Sequence, residues 1–168
     1  MEVGMKRSFG LWQLFGFATV SLSGTLLHFL YEWSGGSPLV APFSGVNEST
    51  WEHMKLLFWP MLIYALVESF FFREYDNFWF VKLKGISLGL ILIPVIFYTY
   101  NGVIGKSPDW INIAIFFISA AVAYILEARL FFSEKFRSKE SKICFWVLVA
   151  IAALFIVFTF KTPQIGIF

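Results

Sequence analysis

Apolar positions in this chain do not alternate with polar ones, as they do along a half-buried strand or an amphipathic surface helix; they run on unbroken for a membrane's thickness. The runs cover about residues 9–33, 54–72, 79–100, 110–132 and 143–160, and the segments between them hold most of the charge. A helix needs roughly 20 apolar residues to cross the hydrocarbon layer. Backbone amides in lipid must be hydrogen-bonded within their own segment, so each run reads as a helix. The pattern therefore predicts an all-α integral membrane bundle of five transmembrane helices, a single domain over residues 1–168, with the lipid bilayer as its surroundings.

Polar residues inside the runs recur at three- and four-residue spacing, which places them on one face of each helix. The first run carries Ser21, Gly24, Thr25, His28 and Glu32; the second His53, Pro60, Tyr64 and Glu68. Ser87, Pro94, Tyr98 and Asn101 align on the third, and Asn112, Ser119, Ala123 and Glu127 on the fourth. The fifth offers only Cys144 and Thr159. Four helices around a polar interior, with the fifth outside, follow from that contrast. Gly85 and Gly89 form a GxxxG spacing, which predicts close helix packing on the third run.

Charge sets the direction of threading. Lys6, Arg7, Arg73, Lys82, Lys84, Arg129, Lys135, Arg137, Lys139 and Lys142 flank one side of the runs, whereas Lys55, Lys106 and Lys161 flank the other. Basic residues in short loops favour the cytoplasm. The N-terminus is expected inside and the C-terminus outside. Lys6-Arg7 and Ser21-Leu22-Ser23 resemble parts of a secretory signal, but the apolar run continues through Leu30 to Tyr31 and Trp33, as an uncleaved span does.

Composition agrees, with 58% hydrophobic and 14% charged residues, far from the quarter or so that is charged in soluble domains. The net charge of +2 carries no basic patch interleaved with aromatics, so no nucleic-acid partner is expected. Cys144 is the sole cysteine, which excludes an internal disulfide or a cysteine metal cluster.

Ionisable groups at membrane depth demand a partner or a use. Glu68 and Glu127 sit near the cytoplasmic ends of their runs, within reach of Lys82, Lys84, Arg73 or Arg129, so they are candidates for ion pairs or for a proton or cation relay. The outer end is richer. His28 and Glu32 lie four apart, and Asn47, Glu48, Glu52, His53 and Lys55 cluster at the entry to the second run, with Ser49 and Glu52 spaced as a capping box. Sequential helices are neighbours, so the two groups should meet as an outward-facing site. His28, His53, Glu32 and Glu52 supply imidazole and carboxylate donors suited to a divalent metal. The loop over residues 34–53 is broken by Pro and Gly yet apolar in its middle, as a segment dipping back into the membrane would be.

His28, Tyr31, Trp33, Ser34 and Gly35, followed by Asn47-Glu48-Ser49-Thr50-Trp51-Glu52-His53 and Lys55, with Thr162-Pro163 near the end, resemble a family of small bacterial integral membrane proteins of unassigned function. The resemblance covers the whole chain and implies a bacterial inner-membrane location; members of that family can run on past the last helix. It lends no catalytic residue. Three functions fit: a transport-related or ligand- and ion-binding protein, a metal-dependent intramembrane enzyme, and an accessory subunit that binds another membrane protein or a second copy of itself.

Overall fold

The computed structural model describes residues 2–72, 75–132, 141–164 and 166–167, with side chains from Ser8 onward. Those residues form five helices and no strand: α1 (Glu2–Trp33), α2 (Thr50–Phe72), α3 (Phe78–Val103), α4 (Asp109–Phe131) and α5 (Ser141–Phe160). All five are long and apolar enough to cross a membrane. The shortest, α5, has 20 residues, or about 30 Å at 1.5 Å per residue, which matches the hydrocarbon thickness.

Helices α1 to α4 close a ring in which each packs on the next and α4 returns to α1, while α5 lies outside against α3 and the edge of α2. The ring's interior is filled largely from α2, whose Leu57, Phe58 and Met61 are buried in one cluster with Val20, Ile86, Leu90, Ala120 and Ala123. Only Cys144, Leu148 and Phe155 of α5 are buried. Its bareness of polar groups and its outer place have one cause, since a helix that faces lipid on most sides has no use for hydrogen-bonding side chains.

Several helices begin or end beyond their apolar runs. Thr50 rather than residue 54 opens α2, because the Ser49 hydroxyl accepts the Glu52 N–H at 3.3 Å and so caps the turn. The reciprocal half of the expected capping box does not form: the Glu52 carboxylate accepts instead from the Val46 N–H at 2.7 Å. The carbonyl of Ile167, in the C-terminal tail, accepts the Trp51 N–H at 2.9 Å. The tail thus crosses back over the bundle, where the Tyr98 hydroxyl donates to the Gly166 carbonyl.

The segment between α1 and α2 folds down along α2. Trp59 Nε1 donates to the Pro42 carbonyl at 2.8 Å, and Trp59 lies nine residues into α2, about 13 Å from its start. Ala41, Pro42 and Ser44 are buried there. The Ser44 hydroxyl donates to the Leu27 carbonyl and accepts the Tyr31 N–H, which fastens the segment to α1.

Two basic residues counted as flanking charges prove to be interior ones. Lys55 is 0% exposed and Lys82 1%. Removing Lys82 from the ten and Lys55 from the three leaves nine basic residues against two, so the asymmetry persists. Arg73, Lys135, Arg137 and Lys139, and the side chains of Lys6 and Arg7, lie outside the described residues.

Candidate functional site

Polar side chains gather at two levels of the ring. At the level where α1 ends and α2 begins, His28 and His53 approach with ring centroids 5.9 Å apart. Glu48 lies between them, one carboxylate oxygen 3.7 Å from His28 Nε2 and the other 3.7 Å from His53 Nε2. The His53 ring is oriented by its Nδ1, 2.9 Å from the Ser49 carbonyl, which leaves Nε2 pointing at Glu48. The approach of α1 to α2 and α4 here requires Gly24, whose missing Cβ would sit 2.8 Å from the Leu56 carbonyl and in the ring of Phe116.

Below the histidines a cavity of about 230 Å³ runs between α1, α2 and α4, floored by Gly24, Leu56, Phe116 and Phe117 and edged by Thr25 and Asn112. Its mouth widens toward Lys106, Ser107 and Asp109. Asn112 is held in place by the Ser107 hydroxyl, which donates to its Oδ1 at 2.8 Å, while Asn101 Oδ1 accepts the Ser107 N–H at 2.7 Å. One end of the cleft is therefore polar and ionisable and the other aromatic.

The remaining candidates at this end separate from this pair. Glu32 is exposed at the last turn of α1 and lines a recess with His28 and Glu48. Asn47 accepts the Ser49 N–H at 2.8 Å and shapes the turn before α2. Glu52 is buried and pairs with Lys55 at 2.7 Å; Lys55 Nζ also donates to the Ala41 carbonyl at 2.8 Å and the Thr159 hydroxyl at 3.1 Å. An ammonium has three donors, and all are taken, so Lys55 ties the inter-helix segment and α5 to α2. Among the described residues no three His, Cys, Asp or Glu side chains form a group that could hold a metal ion. The anticipated quartet His28, His53, Glu32 and Glu52 is not assembled, because Glu52 turns to Lys55 and Val46.

At the opposite level each ring helix contributes one residue to a single cluster. Lys82 of α3 forms ion pairs with Glu68 of α2 and Glu127 of α4, and Gln13 of α1 donates its Nε2 to Glu68 Oε1 at 2.9 Å. Glu68 and Glu127 are both 0% exposed. The Lys82 ammonium also lies 6.0 Å from the Phe9 ring centroid, 5.7 Å from that of Phe78 and 5.8 Å from that of Tyr124. Phe9 stacks on Phe131 at 3.7 Å, and with Phe72, Tyr75 and Phe78 these rings close the end of the bundle beyond the cluster. Lys84 is exposed, 5.5 Å from the Phe80 ring, and takes no part.

Gln13 escaped the reading of the sequence. Its signal is modest but real: it begins the series Gln13, Gly16, Val20 and Gly24 at three- and four-residue spacing, the buried side of α1.

No curated protein and no solved structure matches this chain. A family model does, over residues 1–168, and the chain belongs to the family of unknown function DUF6512.

Proposed function

We propose that this multi-pass membrane protein is a ligand-binding protein of the transport class, whose outward-opening cleft takes a small amphipathic molecule. The observation that carries the reading is the convergence of His28 and His53, from two helices, on Glu48 above an aromatic-floored cavity of about 230 Å³. Binding sites are typically concave, largely apolar and provided with a few convergent polar groups. Here the ligand's polar end meets the histidines, Glu48 and Asn112, and its apolar end Phe116 and Phe117.

The reading includes an orientation with the N-terminus in the cytoplasm, supported by nine basic flanking residues against two, and a bacterial inner membrane, supported by the family resemblance. A reporter fused at the C-terminus is expected on the outer side.

Thermal unfolding of the purified protein against a panel of small amphiphilic amines, carboxylates and alcohols tests the cleft. A ligand at a hundredfold its Kd stabilises by about 2.7 kcal/mol. The expected result is a saturable rise in midpoint for one chemical class, lost in His53→Ala and kept in Lys161→Ala. A panel without any saturable shift sinks the reading. Stoichiometric metal in the wild type, lost in both His28→Ala and His53→Ala, would transfer the site to the metal-dependent reading.

A further inference from the structure

The cluster at the inner level is independent of the outer cleft. Its formal charges do not cancel: Glu68 and Glu127 bring two carboxylates and Lys82 one ammonium. Among the described residues no second cation faces it: the other helical groups around it are the amide of Gln13 and the rings of Phe9, Phe78, Tyr64 and Tyr124. Lys84 is turned outward. An uncompensated charge in a dry interior is costly, and the usual resolution is that one group takes up a proton.

The hydrogen bonds point the same way. Glu127 Oε1 is buried with no hydrogen-bond partner among the described residues, and so is Gln13 Oε1, on a side chain only 4% exposed. A bare carboxylate oxygen left in that state would lack the donors that stabilise its charge. Gly85 leaves room for that oxygen, because a Cβ there would collide with the Glu127 side chain. Each feature fits an acid in its neutral form.

We propose that the Gln13, Glu68, Lys82 and Glu127 cluster is a binding site for one proton, carried by the Glu68–Glu127 pair while Lys82 stays an ammonium. The proton adds to one carboxylate oxygen as an O–H bond; nothing is oxidised or reduced, and the cluster becomes neutral. Ser21 on α1 and Ser119 on α4 have buried hydroxyls without hydrogen-bond partners among the described residues. Each lies eight residues from its helix's member of the cluster on the side of the cleft, about 12 Å along the helix, and marks where a proton reaching the cluster from outside would pass.

Infrared spectroscopy of the purified protein in nanodiscs at neutral pH, in water and in deuterium oxide, reads the site directly. Wild type is expected to show the C=O stretch of one protonated, hydrogen-exchangeable carboxyl group. Glu68→Gln and Glu127→Gln should each abolish it, because one carboxylate then balances Lys82. The difference between the wild-type spectrum and that of each variant separates the cluster from every other acid. No such band in the wild type, its loss on replacing choline chloride with sodium chloride, or its persistence in either glutamine variant would overturn the proposal. The wild-type spectrum decides even where a variant folds poorly.

Discussion

Gly85 on α3 and the Glu127 side chain on α4 occupy one shared volume: a Cβ built on Gly85 would stand 2.7 Å from Glu127 Cδ and closer still to its Cγ and Oε1. Glycine here is a matter of space, since the backbone is ordinary helix. Close approach of α3 and α4 at this point lets Glu127 reach across to Lys82. The GxxxG spacing thus serves the ion cluster as well as helix packing.

Gly85→Ala should therefore displace a buried ionic side chain, and overpacking of this kind costs about 1–3 kcal/mol. Gly89→Ala meets the Leu57 Cδ2 methyl at 2.9 Å and Ala123 Cβ at 3.3 Å, and the Leu57 methyl can rotate aside. Gly102→Ala meets nothing within 4 Å. Thermal midpoints in one detergent should fall most for position 85, less for 89, and not at all for 102. Equal losses at 85 and 102 would refute the shared-volume argument.

Lys82→Met removes the cation from between two buried acids. Breaking a buried pair from one side typically costs about 3–5 kcal/mol, whereas replacing all the charges with neutral groups of similar size costs little. The triple variant Glu68→Gln, Lys82→Met, Glu127→Gln should accordingly be more stable than Lys82→Met alone. Denaturation midpoints of the two variants check this, and an additive loss in the triple variant would show that the cluster is not electrostatically coupled.

The Val46 N–H is held by Glu52 at 2.7 Å, just before α2 begins. Glu52→Ala should raise hydrogen exchange at Val46, while the Trp51 N–H, held by the Ile167 carbonyl at 2.9 Å, stays protected. Exchange unchanged at Val46 would mean that another group protects the segment.

Five helices were legible because apolar runs of span length have no other stable form in lipid, and the outer place of α5 because its run is nearly free of polar groups. Pairing was harder to read. Lys82 and Lys55 pass for flanking charges, since each is within five residues of the start of its helix, and sequence does not tell a lysine that leaves the membrane from one that turns inward to meet acids on other helices. Gln13 was hidden by its neutrality, and Glu52 by offering two roles, a cap or an ion pair, that spacing does not separate. His28 and His53 were expected at one site, but their link through Glu48 depends on how the turn at Asn47 and Ser49 aims that side chain.

Lys55 offers a graded test of the scaffold around the α1–α2 segment, because its three donors reach three different elements. Glu52 lies on α2 itself, Ala41 in the segment before it, and Thr159 on α5. Thr159→Val removes one acceptor and leaves the ammonium two others, a loss of about 1 kcal/mol for a typical hydrogen bond. Lys55→Met leaves the buried Glu52 carboxylate, among the described residues, with only the Val46 N–H and strips the Ala41 carbonyl of its donor, so the loss should approach the 3–5 kcal/mol or so of a broken buried pair. Lys55→Met should also speed proteolysis within the 37–46 segment, which Thr159→Val leaves intact. If the two variants unfold at the same denaturant concentration, Lys55 acts through its bond to α5 alone and the inter-helix segment is held by Trp59 and Ser44.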